Sequence, residues 1–318
     1  MASKSGSGTA GAAAVAEGGG ASERTMRQVF VETVEGVMAH NPGVAVVLAE
    51  ISRDAFRPGP RVINVGIREQ AMVGVGSGLA LSGLRPVVHT YAPFLVERPF
   101  EQIKLDFGHQ DVGGVFVSIG GSYDDPVWGR THQAPGDVAL FDTLPGWRIH
   151  VPGHADEVEP VVRAALASDD RVYIRLSLRQ NAVARPVAEG FTEVRRGSAG
   201  VVVAVGPMLD PVLEATAGVD LTVLYATTVR PFDGRGLRAA VSGGRADVLL
   251  VEPYLEGTSA FRVGEALADV PHRLRSLGVR RDAELRAYGT AEDHDSAHDL
   301  DVVGIAAAVR RMFGSAAV

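Results

Sequence analysis

Short apolar runs alternate with helix-patterned stretches along most of this chain, and that alternation constrains its fold more than any other feature. Met26, Val29, Phe30, Val34, Val37 and Met38 recur at helical spacing, Asn41-Pro42-Gly43 supplies a stop, and the apolar run Val44 to Ala49 follows. A Gly/Ala-rich helical stretch from Glu69 then leads to a strand at Pro86 to Thr90, and a helical segment near Pro99 to His109 leads to a strand at Val115 to Ile119. Strands at Arg148 to Val151 and Val172 to Leu176 flank a helical stretch from Ala155 to Ala167. Strands apolar on both faces and separated by helices are buried effectively only in a mostly parallel sheet covered on both sides.

Periodicity lapses between Gln180 and Gly197 and resumes at Val201, with strands expected at Val201 to Val205, Leu221 to Tyr225 and Val248 to Val251, and helices after Asp210, Gly236 and Thr258. The expectation is an α/β chain of two doubly wound domains. The first spans 23–185, a linker covers 186–197, and a smaller domain fills 198–318. The opening 1–22 holds seven Ala, six Gly and four Ser and reads as a disordered tail without the cationic start and apolar centre of a signal peptide.

Composition narrows the chemistry. At 318 residues the chain can build two cores, and no apolar run is long enough to cross a bilayer, which predicts a soluble protein. The absence of cysteine removes disulfides, thiolate metal sites and cysteine nucleophiles, and makes the cytoplasm the default location. A net charge of −7 with interspersed signs lacks the basic footprint of a nucleic-acid binder, which leaves small molecules and proteins as partners. Asp156, Glu157 and Glu159 read as a solvated helix start rather than a metal site.

The most informative stretch is Arg61 to Met72, where Glu69 stands at the junction of an extended segment and a small-residue helix. Its Asn64-x-Gly66-Ile67-x-Glu69-Gln70 pattern resembles the transketolase family. The resemblance continues through Gly83-Leu84-Arg85-Pro86, Tyr91-Ala92-Pro93-Phe94-Leu95, Thr131-His132-Gln133 and Arg179-Gln180-Asn181, then Val229-Arg230-Pro231-Phe232-Asp233 and Val251-Glu252. It covers the chain after the tail and implies a pyrimidine-binding domain followed by a transketolase C-terminal-type domain.

What the resemblance implies is thiamine diphosphate chemistry. Glu69 would be the catalytic carboxyl group that promotes the imino tautomer of the aminopyrimidine, and Ile67, Tyr91, Phe94, Arg98 and Phe100 would complete its cradle. His132 would contact substrate hydroxyls and shuttle their protons. Arg27 and Arg179 would hold a substrate phosphate, and Trp128 and Arg130 would shape the substrate pocket.

Trp128 and Arg130 stand where the family carries an Asp and a Pro, Gly120 stands for a phosphate-site histidine and Leu48 for a phosphate-site serine, so an altered donor or acceptor is expected. The Gly-Asp-Gly segment that anchors the diphosphate through Mg²⁺ is absent from the sequence. The implied assembly is an α2β2 heterotetramer with a diphosphate-binding N-terminal chain that supplies the Mg²⁺ ligands, with none expected here. Alternatives are a 2-oxoacid dehydrogenase β subunit, a deoxyxylulose-phosphate-synthase-like enzyme, two-carbon transfer to a carrier protein, and a non-catalytic scaffold.

Overall fold

A computed structural model describes residues 24–314; the tail expected at 1–22 lies outside them. The first half of the chain runs α1 (Met26–His40), β1 (Val44–Leu48), β2 (Val62–Asn64), α2 (Glu69–Leu81), β3 (Arg85–Tyr91), α3 (Phe100–Gln102), β4 (Gly114–Ile119), α4 (Asp137–Asp142), β5 (Trp147–His150), α5 (Val158–Leu166) and β6 (Arg171–Arg175). The second half runs β7 (Thr192–Arg195), β8 (Val201–Val205), α6 (Leu209–Ala215), β9 (Thr222–Ala226), β10 (Thr228–Arg230), α7 (Gly234–Val241), β11 (Asp247–Leu255), α8 (Ala260–Ala266), β12 (Arg273–Val279), α9 (Ala291–Ala297) and α10 (Val302–Phe313).

Two mainly parallel sheets result. The first has the order β10-β5-β6-β4-β3-β1-β2 and the second β12-β11-β8-β9-β7. Only the edge strands β10 and β7 run antiparallel to their neighbours. The continuous apolar patterns of β1, β4 and β8 correspond to strands with every residue buried. In the first sheet, one apolar layer packs α1 and α5 through Phe30, Val34, Val158 and Val162. The other face holds Met72, Phe107, Phe141 and Trp147, and its cluster continues through Leu224, Val229 and Leu250 of the second unit.

That shared core shows how the two halves are joined. β10 leaves the second sheet directly after β9 and adds itself to β5 of the first, pairing Thr228 with His150 and Arg230 with Ile149. Segment 186–197, read from the sequence as linker, contains β7, which pairs with β9 through Thr192 and Tyr225. Glu157 is a correction: it is not solvated but 1% exposed. Its carboxylate accepts from the backbone N–H of Gly153 (2.8 Å) and Arg185 (2.8 Å) and from the Tyr225 hydroxyl (2.6 Å). Three donors from both halves explain a buried carboxylate that its acidic neighbours in sequence disguise. No helix among the described residues is long and apolar enough to cross a membrane.

The sheet order also creates a crevice. From β1 the chain moves outward to β2 and returns on the opposite side of β1 as β3, so the loops beyond the carboxyl ends of β1 and β3 diverge. Open α/β sheets offer ligand sites at such reversals.

Candidate active site

Glu69 is held there by local chemistry readable in its motif. The Asn64 side-chain oxygen accepts from the N–H groups of Glu50 (2.9 Å) and Gly66 (3.0 Å), and its amide donates to the Glu50 carboxylate (2.9 Å). This fastens the turn after β2 to the loop after β1. Gly66 has φ +71°, a conformation that side chains resist, and Ile67 follows with 74% of its surface exposed. Glu69 then opens α2 while only 4% exposed.

The second wall comes from the chain beyond β3. Pro93–Glu97 and Ile103–His109 form π-helical turns on either side of α3, and the Arg98 N–H reaches the Pro93 carbonyl at 3.2 Å. Wide turns of this kind re-aim side chains and concentrate at functional sites. Here they bring the Arg98 guanidinium over the Phe94 ring, 3.9 Å from its centre, while Nη1 donates to Glu69 Oε1 at 2.7 Å. Gln70 ties the two walls together by donating to the Arg98 carbonyl at 3.2 Å. The other oxygen of Glu69 takes no hydrogen bond among the described residues. Phe100 is half-buried in α3 and is not brought into the ring cluster around Phe94.

The third wall is the loop after β4. His132 meets Phe94 edge-on at 5.0 Å and Tyr91 at 5.5 Å, while Trp128 lies tilted beside it at 5.6 Å. Thr131 Oγ1 lies 3.0 Å from His132 Nδ1. Desolvation by these rings is the main cause that lowers the His132 pKa; Arg98 also lowers it, and Asp125 opposes. Trp128 is half-exposed, and its indole N–H donates to Asp125 at 2.8 Å. Gly120 has φ +67°, and a side chain there would begin 2.3 Å from the Tyr91 ring. Tyr91 therefore fills the place where the resemblance locates a histidine. Leu48, fully buried in β1, offers no polar group where a serine is expected.

The loop is anchored from below. Asp137 and Arg175, 0% and 1% exposed, pair at 2.8 Å, and Arg175 Nη2 donates to Ser122 Oγ at 2.6 Å. Gly121 is needed for that reach, since a Cβ would lie 2.5 Å from the Arg175 guanidinium carbon. Sequence reading missed Asp125, Asp137 and Arg175, although Asp124-Asp125-Pro126 is a visible turn signal.

The predicted substrate residues divide. Trp128 and His132 join the ring cluster. Arg27 is half-buried, and its charge lowers the pKa of Tyr91, which desolvation by burial and Asp125 raise. Arg130 instead lies 3.6 Å from Glu284 and helps line a cleft of about 390 Å³ with Tyr123, Arg280 and His298. Arg179 is committed to Asp295 at 2.6 Å and to the Ala291 carbonyl at 3.2 Å, both on α9. Gln180 and Asn181 are also engaged internally, by Ala155 and Gly206.

Glu69, Phe94, Arg98 and His132 thus converge at one sheet end. Residues 22–182, half of the chain, match the family described as the transketolase pyrimidine-binding domain. The chain belongs to the transketolase family. A Rhodococcoides fascians protein described as an uncharacterized 33.6 kDa protein in the fasciation locus is 50% identical over 91% of this chain and 95% of its own length. One of the subunits of an apulose-4-phosphate transketolase from Actinobacillus succinogenes is 27% identical over 77% of this chain and 82% of its own. The 1-deoxy-D-xylulose-5-phosphate synthase of Polaromonas naphthalenivorans is 29% identical over 92% of this chain, which spans only 48% of that enzyme. In fold, this transketolase-family chain superposes with a TM-score of 0.78 on the structure titled "Split gene transketolase, inactive beta4 tetramer", with 24% identity and 92% and 99% of the two chains covered. It therefore corresponds to the pyrimidine-binding and C-terminal portions of the family.

Proposed function

We propose that this chain is the cofactor-activating subunit of a split transketolase, moving a two-carbon ketol unit from a ketose donor to an aldose-like acceptor. The observation that carries this reading is Glu69: a buried carboxylate at a helix start, with one oxygen unclaimed and an aromatic ring in the same crevice. Those residues fit an aminopyrimidine, which needs a carboxyl partner at a ring nitrogen and flat apolar surface for its faces. Arg98 lies on both the Phe94 face and Glu69 Oε1, so cofactor binding on that face requires its side chain to swing aside.

Thiamine diphosphate, when bound, supplies a nucleophilic carbon that carries the two-carbon unit. Glu69 holds and exchanges the proton at the pyrimidine nitrogen. His132, kept neutral by its ring neighbours, accepts protons from substrate hydroxyls, while Tyr91, Phe94 and Trp128 exclude water from its surroundings. Among the described residues no cluster of acidic or histidine side chains is arranged for a metal ion. The lack of a Gly-Asp-Gly segment in the sequence supports assigning the diphosphate and its Mg²⁺ to a partner chain, with the cofactor at the interface. Exposed Ile67, Val127, Trp128 and Leu178 supply apolar surface for that contact.

The test is two-carbon transfer from hydroxypyruvate to an aldehyde panel by the reconstituted pair. Glu69→Ala should abolish it; full activity in that variant would favour a scaffold role. The similarity to deoxyxylulose-phosphate synthases keeps a second reading, in which the pair releases CO₂ from pyruvate.

A further inference from the structure

We propose that Asp295 closes the anion subsite at Arg179, so that the substrate of this centre carries no phosphate at its distal end: a free ketose, aldehyde or related keto compound. The inference rests on the two-carbon-transfer reading and specifies its substrate class. A phosphate bound by an arginine needs the N–H edge of the guanidinium. Here Nη1 of Arg179 lies 2.7 Å from Oδ1 and 2.6 Å from Oδ2 of Asp295, and Nη2 donates to the Ala291 carbonyl at 3.2 Å. The guanidinium also lies 5.4 Å from the centre of the Tyr123 ring, whose hydroxyl donates to Asp295 at 2.7 Å.

Asp295 is held in place. It belongs to α9, which starts at a reciprocal cap between Thr290 and Asp293, and Tyr123 stacks against His294 (4.9 Å) and His298 (5.5 Å). The first unit thereby grips α9 through Tyr123 and Arg179 together. Charge offers no spare cation: Asp124, Asp125 and Asp295 balance Arg27, Arg175 and Arg179 in this corner. An incoming phosphate, about −1.5 to −2 at neutral pH, would have to displace the charge-assisted Arg179–Asp295 pair beside two further carboxylates, Asp124 and Asp125. Leu48 and the Tyr91-filled space at Gly120 offer no donor at those two positions.

The experiment uses the full chain with its diphosphate-binding partner, hydroxypyruvate as donor, and D-glyceraldehyde against D-glyceraldehyde 3-phosphate as acceptors. The free aldehyde should have at least a tenfold higher kcat/KM. Asp295→Asn and Asp295→Ala should raise kcat/KM for the phosphate ester about tenfold, a gain that adding Arg179→Ala removes. Preference of the wild type for the phosphate ester, or an unchanged ratio in both Asp295 variants, overturns the proposal. Absence of transfer to either acceptor would remove the two-carbon-transfer reading instead. In that case, titration of the chain alone with inorganic phosphate decides the fate of the Asp295 assignment. Saturable binding should appear in Asp295→Asn and vanish when Arg179→Ala is added; saturable, Arg179-dependent binding by the wild type refutes the closed subsite.

Discussion

Replacing Asp137 by Ala should unfold the loop that carries His132 and much of the first core with it. Asp137 Oδ2 accepts from Arg175 Nε at 2.8 Å and the Tyr173 hydroxyl at 2.7 Å, while Oδ1 accepts from the Val138 N–H at 2.8 Å. Removing it leaves a cation that is 1% exposed without its carboxylate, and leaves the buried Tyr173 hydroxyl with Ser118 Oγ, at 2.8 Å, as its remaining partner. Breaking one side of a buried ion pair costs about 3–5 kcal/mol, a large share of the ~5–15 kcal/mol that holds a typical protein folded. With a urea m-value of ~3 kcal/mol/M, the unfolding midpoint should drop by about 1–1.7 M. Circular dichroism through a urea series measures it, and Trp147, packed on Phe141 of α4 at 4.5 Å, gives an independent fluorescence signal. Adding Arg175→Met should restore part of the loss, because the stranded charge is the main penalty. A loss under about 1 kcal/mol in Asp137→Ala, or a double variant weaker than the single by the full cost of each, would refute the reasoning.

Further outcomes follow from the same geometry. His89, fully buried, donates from Nδ1 to the Val117 carbonyl and accepts from Ser52 at Nε2, and burial pushes its pKa down to about 3; His150 falls to about 4 for the same main reason. Both bind protons more readily unfolded, so their contribution is present above the ordinary histidine value and lost as pH falls through it. From pH 7.5 to 5.5 each should remove about 1.3 kcal/mol, roughly 2.6 together, as read by urea midpoints across pH. Glu157→Ala should cost about 3 kcal/mol or more by leaving three buried donors unpaired, whereas Tyr225→Phe should cost nearer 1 kcal/mol; a double-mutant cycle showing no coupling would contradict the contact. In the transfer assay the acid limb of kcat/KM should lie below the ordinary histidine pKa, because His132 must be neutral to take a proton and its surroundings disfavour the charge. His132→Ala should remove that limb and lower kcat by about 10²–10⁴-fold.

The parallel sheets were legible because fully apolar runs such as Val44 to Leu48 and Val201 to Val205 are interior to them. The edges were not. β10 has only three residues and takes its place by crossing to the other sheet, while β12 is exposed or half-buried along its first four residues and lacks an apolar run. At the site, Asn64, Gly66 and Glu69 were readable because they stand together in one short motif, although the partners of Asn64 and Glu69, Glu50 and Arg98, lie 14 and 29 positions away. The partners that fix Arg179 were not: Asp295 stands 116 positions later in the acidic stretch Glu292 to Asp301, where linear pattern suggests only a solvated helix. Glu157 misled for the converse reason, since acidic neighbours hid a buried carboxylate whose donors come from Gly153, Arg185 and Tyr225.

The most direct test of the account is two-carbon transfer from hydroxypyruvate, with thiamine diphosphate and Mg²⁺, by this chain alone and with its diphosphate-binding partner. Activity only in the mixture, lost with Glu69→Ala, is the predicted result. Full activity from the isolated chain would contradict it, because the diphosphate would then need an anchor within this chain.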